Sequence, residues 1–546
     1  MAETHSDHAE GHFRREIGLF SATMLVMGSM IGSGIFVVSR DIATDVQGAG
    51  WLLLAWIVTG VMTVMGALCY AELAGMIPDA GGQYVYLKRA FSPVWGFLYG
   101  WTLFMIIQTG SIAAVAIVFT RYLSVFVPFL TPELGVDEKT GAQTNQAQVI
   151  YRSPSDMNLQ VKLPLPWADE PLKVFERNHL KPFAVTVGEF LAAALIIALT
   201  IWNCYGVSKG TMLQNIFTVA KIGGLVVLIV IGFSMIDPSV VEFNKAHLWD
   251  GWNQSEKFNE AKGTFPNMPL GLIFAAVFGA ALTGSLFSAD AWNNITFAGG
   301  EVKNPSRTLP ISLALGATGV ILIYLVVNVA YLSVLPVRPP GAEIASQSEG
   351  IVNGISKATD DRVAAAMVQQ ATVKSPFGSR WGVTLLSVLV MISTFGCING
   401  MILTGARLTY AMAKDGLFFS GVGKLNGYGV PGVALVLQGV WSAVLVFSGS
   451  YNELLDMVMF AALLFYALTI LGLMRLRRIE PETPRPYRVW FYPAMPIAYV
   501  LLCVAVMAVL LFVRPQLTWP GLILTATGLP VYLLWRLFGR KPQTAS

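Results

Sequence analysis

The chain has 546 residues, 55% of them hydrophobic and 12% charged, with a mean hydropathy of +0.61. A soluble globular chain carries about 25% charged residues, so this one lacks the polar surface to face water on every side. Its formal charge of +4 is small for the length, and the basic residues form no stripe that could hold nucleic acid. Four cysteines (Cys69, Cys204, Cys397, Cys503) fall in or at the edge of apolar stretches, where they pack as small hydrophobes and imply no disulfide framework.

In chain order, the first 17 residues are polar and acidic. They read as a solvated tail rather than a cleavable signal, and His5, His8 and His12 in it as solvated residues rather than metal ligands. Twelve apolar stretches follow, each near the roughly 20 residues that a membrane-spanning helix needs. They lie near 18–39, 50–77, 93–127, 184–203, 212–236, 269–299, 310–335, 381–414, 431–448, 453–474, 490–513 and 518–538. The third, sixth and eighth exceed one straight span, which predicts tilt, a break or an amphipathic extension. Residues 128–183, rich in proline and polar groups, read as an irregular surface excursion.

Basic residues set the orientation. With the N-terminus inside, Arg14, Arg15, Lys88, Arg89, Lys209, Lys303, Arg307, Lys414, Lys424, Arg475, Arg477, Arg478, Arg485, Arg488, Arg540 and Lys541 all face the cytoplasm. The short outer loops then hold only Arg40 and Arg514, so both ends are expected in the cytoplasm of a multi-pass protein of the cell membrane.

Three features conflict with a plain apolar bundle. The first span contains Met30-Ile-Gly32-Ser33-Gly34-Ile35-Phe36. Gly28 and Gly32 make a GxxxG packing pair, but Gly32 and Gly34 point about 200° apart on a helix, so one packing face cannot use both. Local unwinding uses both. The sixth span carries Phe287-Ser288-Ala-Asp290-Ala-Trp292-Asn293-Asn294. On a continuous helix Asp290, Asn293 and Asn294 share one face, either lining a cavity or forming an interhelical hydrogen-bond network. Third, Lys221 sits near the middle of the fifth span, too deep to snorkel.

Spans one and six occupy equivalent places if spans 1–5 and 6–10 are two repeats. An odd number of spans makes those repeats inverted, and paired interruptions at matching positions point to a transporter's central site. The expected division is a tail to residue 17, a first repeat over 18–236, a second over 237–474, two further helices over 475–538, and a tail over 539–546. An unwound helix exposes N–H groups at its new N-terminus, where the dipole favours a carboxylate, and carbonyls at its new C-terminus, which accept from an ammonium. An amino acid presents both groups about one carbon apart. The lysine could occupy a coupling cation's place or gain and lose a proton during transport.

At these residues the chain resembles the L-type amino-acid transporter family, within the amino acid–polyamine–organocation superfamily. The matching stretches are Met30–Phe36, Ala67–Leu73, Ile77–Tyr84, Tyr86–Phe91, Ala291–Asn293, Glu301–Pro305, Ile398–Gly400 and Gly405–Tyr410, in order and across nearly the whole core. The resemblance implies an all-α fold of twelve transmembrane helices: ten in two inverted five-helix, LeuT-like repeats, and two peripheral. It implies that the substrate carboxylate meets N–H groups around Gly32, Ser33, Gly34 and Ile35. The ammonium meets carbonyls near Met30, Phe287 and Asp290, with Ser288 beside them. Phe287 is the implied lid, Trp292 and Asn293 lie just below it, and Lys221 takes the sodium position of sodium-dependent relatives.

The implied activity is sodium-independent amino-acid transport by exchange, with proton-coupled import of amino acids or polyamines as the alternative. No cofactor is implied. The chain departs from the family in its longer 128–183 loop, which has no cysteine, so no disulfide-linked heavy chain is expected. Asp290 stands where members carry glycine or aspartate. Glu72 is expected to anchor a nearby basic residue rather than to couple transport. Gly206-Val-Ser208-Lys-Gly210 fits the hydrolase GxSxG pattern, but it joins two spans instead of a strand and a helix, so it is a chance match. With no other catalytic set the chain does not read as an enzyme. A channel, or a sensor that binds without flux, are the other classes left open.

Overall fold

A computed structural model of the protein describes residues 15–127, 184–339, 354–358, 363–372, 378–447, 451–513 and 515–538, with short stretches between 134 and 177. The three histidines of the leading tail and the last eight residues lie outside the described residues. Twelve helical segments correspond to the twelve apolar stretches. Among the described residues nine are long and apolar enough to cross a membrane, and Val187–Asn203 and Gly432–Val446 are shorter apolar helices. Pro515–Phe538 completes the set. The chain is a polytopic, all-helical membrane protein in its spans.

The three long stretches find three different solutions. The third span runs as Pro93–Thr102, a π-helical turn Leu103–Ile107, and Gln108–Leu123. A π-turn leaves carbonyls without their regular N–H partners. Here Thr109 Oγ1 donates to the Phe104 carbonyl at 2.8 Å, and Trp441 Nε1 to Met105 at 3.0 Å. The sixth span is Leu270–Ser288 followed by a 3-10 helix Trp292–Glu301. The eighth is one continuous helix, Gly378–Lys414.

Residues 128–183 do not form the purely irregular excursion expected. Short antiparallel strands pair there: Leu134–Val136 with Gln143–Asn145, and Leu159–Leu163 with Leu172–Arg177. Val149–Arg152 pairs with Ala184–Thr186, and the fourth span starts directly after it. Thr186 and Glu189 cap that start reciprocally: the Glu189 carboxylate accepts from the Thr186 N–H at 2.7 Å.

The spans pack in matched pairs. The first touches the fifth and seventh, as the sixth touches the tenth and second. The fifth packs on the eighth, as the tenth packs on the third. The second meets the seventh, the third the eighth and the fourth the ninth. Exchanging the first five spans for the second five maps this set of neighbours onto itself.

Two buried ion pairs fasten the ends. Glu301, closing the sixth span, takes Arg407 Nε at 3.1 Å, both side chains being inaccessible to solvent. The entering chain docks beside it, with the N–H groups of Glu16 and Ile17 donating to the Glu301 carbonyl at 2.9 and 3.0 Å. Glu72 of the second span receives Arg477 at 2.5 and 2.8 Å and the Val489 N–H at 2.8 Å. That carboxylate is therefore an anchor for the tenth span and the link to the eleventh.

Candidate substrate site at the helix breaks

The first span divides where its glycines suggested, into Leu19–Met30 and Gly34–Val46. Ile31 still donates to Met27 at 2.9 Å, but the carbonyls of Gly28, Ser29 and Met30 lose their regular helical partners. Three other spans supply donors. Lys221 Nζ of the fifth donates to Gly28 at 2.7 Å and also to Ile31 at 2.8 Å. Cys397 Sγ of the eighth donates to Ser29 at 3.1 Å, and the Tyr324 hydroxyl of the seventh to Met30 at 3.1 Å. Ser393 Oγ donates to Gly32 at 2.9 Å. Beyond the break the second half-helix begins without a side-chain cap. Among the described residues nothing accepts from the N–H groups of Ser33, Gly34 and Ile35.

In the sixth span Ala289 and Asp290 donate to Ser285 and Phe287 at 3.0 and 3.1 Å, and the α-helix stops. Ala291 then turns left-handed, with φ of 64°, a conformation that costs a non-glycine residue about 1 kcal/mol or more. The continuous helix expected to align Asp290, Asn293 and Asn294 is absent, since Asp290 lies in the break and the two asparagines on a 3-10 turn, yet all three still line one cavity. Tyr466 of the tenth span donates to Asp290 Oδ1 at 2.5 Å. Asn293 donates to Gln83 at 3.1 Å, and Gln83 to Thr469 at 2.9 Å, which is the interhelical network weighed as the plain alternative. Asn294 Nδ2 has no partner among the described residues.

The two breaks face each other. A side chain at Gly34 would collide with Ser288, side chain and Cα alike, so only glycine lets the halves approach this closely. The other two glycines of the run meet different neighbours: Gly28 faces Gln214 and Thr218 of the fifth span, and Gly32 faces Cys397 of the eighth. The GxxxG pair is therefore not one packing face. The Tyr324 hydroxyl lies 3.1 Å from the Met30 carbonyl and 3.3 Å from that of Ser288, spanning both breaks.

A small cavity lies between the breaks. Met30, Gly32, Ser33 and Gly34 line it from the first span, and Phe287, Ser288 and Asp290 from the sixth. A second cavity adjoins it through Asp290 and is lined by Asn293, Asn294 and Tyr466. Ile35 and Trp292 line neither. The Ile35 carbonyl accepts from Tyr331 at 3.2 Å, and Trp292 packs on Tyr70 and Tyr466 with ring centres 4.8 and 5.4 Å away. Lys221 stands behind the cavity, against the backbone of the break.

Sequence reasoning missed the far wall, Ser111 and Val115 of the third span and Cys397 and Met401 of the eighth. The Ile398–Gly400 stretch, adjacent to Cys397, was the available signal. Tyr324 and Tyr466 sit in apolar helices, and nothing local marks them. Among the described residues no group of three or more His, Cys, Asp or Glu is placed to hold a metal.

Comparison with known proteins agrees in one direction. A family model described as amino acid permease matches residues 17–534. The b(0,+)-type amino acid transporter 1 of Mus musculus is 27% identical over 530 residues, covering 96% of this chain and 88% of that protein. The large neutral amino acids transporter small subunit 2 of Homo sapiens is 28% identical over 538 residues, covering 98% of this chain and 82% of that protein.

Proposed function

Since the chain belongs to the amino acid permease family, we propose that it exchanges amino acids across a cell membrane, without sodium, by alternating access around the breaks in its first and sixth spans. The observation that carries this reading is the pair of facing breaks bridged by Tyr324, with three unoccupied N–H groups on the far side of the first. The substrate carboxylate sits on the N–H groups of Ser33, Gly34 and Ile35, where the half-helix dipole favours negative charge. The ammonium takes carbonyls near Met30, Phe287 and Asp290. A carbonyl has two lone pairs, so Met30 accepts it while keeping Tyr324. Phe287 closes over the bound molecule.

Lys221 holds the place of a coupling cation. Its ammonium grips two carbonyls of the break, the kind of oxygen a sodium ion would coordinate. Residues 18–236 and 237–474 act as inverted repeats, a reading supported by the matched helix contacts. The basic residues favour cytoplasmic termini. One relative is named a small subunit. This chain works without a disulfide-linked companion, because 128–183 contains no cysteine.

The test is uptake of all twenty amino acids into proteoliposomes with sodium replaced by choline. Exchange predicts uptake that preloaded amino acid stimulates. Accumulation into empty vesicles under a proton gradient moves the reading to proton symport, and strict sodium dependence overturns it.

A further inference from the structure

We propose that the link between the tenth and eleventh spans binds anionic phospholipid at the membrane surface, with Trp490 and Phe491 seated among the headgroups and Arg478 and Arg488 holding phosphate. The link leaves the tenth span after Ile479 and enters the eleventh at Ala494. Its backbone is pinned from below. The Arg485 guanidinium lies 3.4 Å from Glu72 and donates to the carbonyls of Leu476, Glu480 and Thr483 at 3.1, 2.9 and 2.9 Å. Val489 is buried, and its N–H donates to Glu72 at 2.8 Å. Its neighbours on either side, Arg488 and Trp490, are exposed, as the alternation of an extended segment requires.

Trp490 and Phe491 are 63% and 79% exposed, so the pinned link displays two large aromatic side chains next to each other. Phe491 does so from a left-handed backbone, with φ of 50°, which costs about 1 kcal/mol or more. Their position says what covers them. The eleventh span, Ala494–Val513, has 20 residues, a length of about 30 Å that matches the hydrocarbon core of a bilayer. Phe491 stands three positions before its first residue, at the level of the headgroups, where tryptophan collects. Charge says which lipid. Arg477 is taken by Glu72, and Arg89 by Glu480 at 2.6 and 2.9 Å. Arg478 and Arg488 are exposed, and among the described residues no carboxylate pairs with either. A guanidinium holds phosphate oxygens in pairs, and a headgroup without a choline leaves that phosphate's charge unopposed. With the termini in the cytoplasm, as proposed, this is the inner leaflet, where anionic lipids concentrate. The binding itself does not rest on that orientation.

The experiment uses the full chain in detergent micelles, adds phosphatidylglycerol or phosphatidylcholine, and counts bound lipid per protein by native mass spectrometry. The wild type is expected to bind phosphatidylglycerol the more tightly. Arg478→Gln with Arg488→Gln should bind it about thirtyfold more weakly, the loss expected for two arginines at an anionic surface. Arg478→Lys with Arg488→Lys, which keeps the charge, should recover most of the affinity. Trp490→Ser with Phe491→Ser should bind both lipids about tenfold more weakly, since two apolar surfaces are lost. All four side chains are exposed, so these variants should fold, and the wild-type preference between the two lipids needs no variant at all. Equal binding of the two lipids by the wild type overturns the proposal, as does unchanged affinity in either the glutamine or the serine variant. Displacement of the lipid by soluble glycerol phosphate would mark a phosphate site that needs no membrane. Wild-type dimers that dissociate in the serine variant, with lipid binding unchanged, would give this face to a second copy. Either result overturns it too.

Discussion

Lys221 and Gly34 do different work at the same break. Lys221→Ala strips the Gly28 carbonyl of its donor, while Ile31 keeps Ser393 at 3.2 Å. An unsatisfied buried carbonyl costs about 1–3 kcal/mol, so uptake should collapse although the side chain touches no substrate. Sodium-free uptake by purified Lys221→Ala, normalised to inserted protein, is the measurement; wild-type rates would remove the lysine from the mechanism. At Gly34 a side chain would both hide the N–H groups of the break and collide with Ser288. Gly34→Ala should lose binding by an order of magnitude or more, and Ser288→Gly should restore part of it by relieving the side-chain clash. No restoration in the double variant would return the cause to the hidden N–H groups. Asp290→Asn should leave neutral amino acids nearly intact and cut lysine and arginine uptake about tenfold, because a charge-assisted contact is lost. Equal damage to all substrates would make the aspartate a structural partner of Tyr466.

At the scale of elements, the sequence stretches around Glu301 and Arg407 meet in a buried ion pair that ties the end of the sixth span to the eighth. Removing one partner strands a buried charge, which costs about 3–5 kcal/mol. Arg407→Met should therefore lower the thermal unfolding temperature in detergent sharply. Arg407→Met with Glu301→Leu should recover much of the loss. If the double variant is no better than the single one, the pair contributes more than charge balance. Both residues were legible as members of motifs, but not as each other's partner, since pairing across 106 positions leaves no local trace. The spans themselves were legible because a bilayer demands about 20 apolar residues for each. The first-span break was legible from glycines that no single face could use. The sixth-span break hid its left-handed alanine, because an alanine reads as a good helix former.

For the molecule as a whole, the proposed inverted repeats predict that closing one side and opening the other are related motions of equivalent half-helices. Phe287→Ala, which trims the proposed lid without touching the charged contacts, should slow exchange more than it weakens binding. Comparing the substrate dissociation constant with the exchange rate in the same proteoliposomes decides this. A larger loss in affinity than in rate would make Phe287 part of the binding surface instead.

The buried ammonium also has an electrical consequence. Among the described residues its direct partners are carbonyl dipoles, and no carboxylate forms an ion pair with it. While Lys221 carries its proton, a positive charge in a low-dielectric layer raises the energy of any small cation that tries to pass, since like charges a few ångströms apart repel by several kcal/mol when poorly screened. The protein at rest is therefore expected to insulate, and planar bilayers containing it should carry no potassium or sodium current between turnovers.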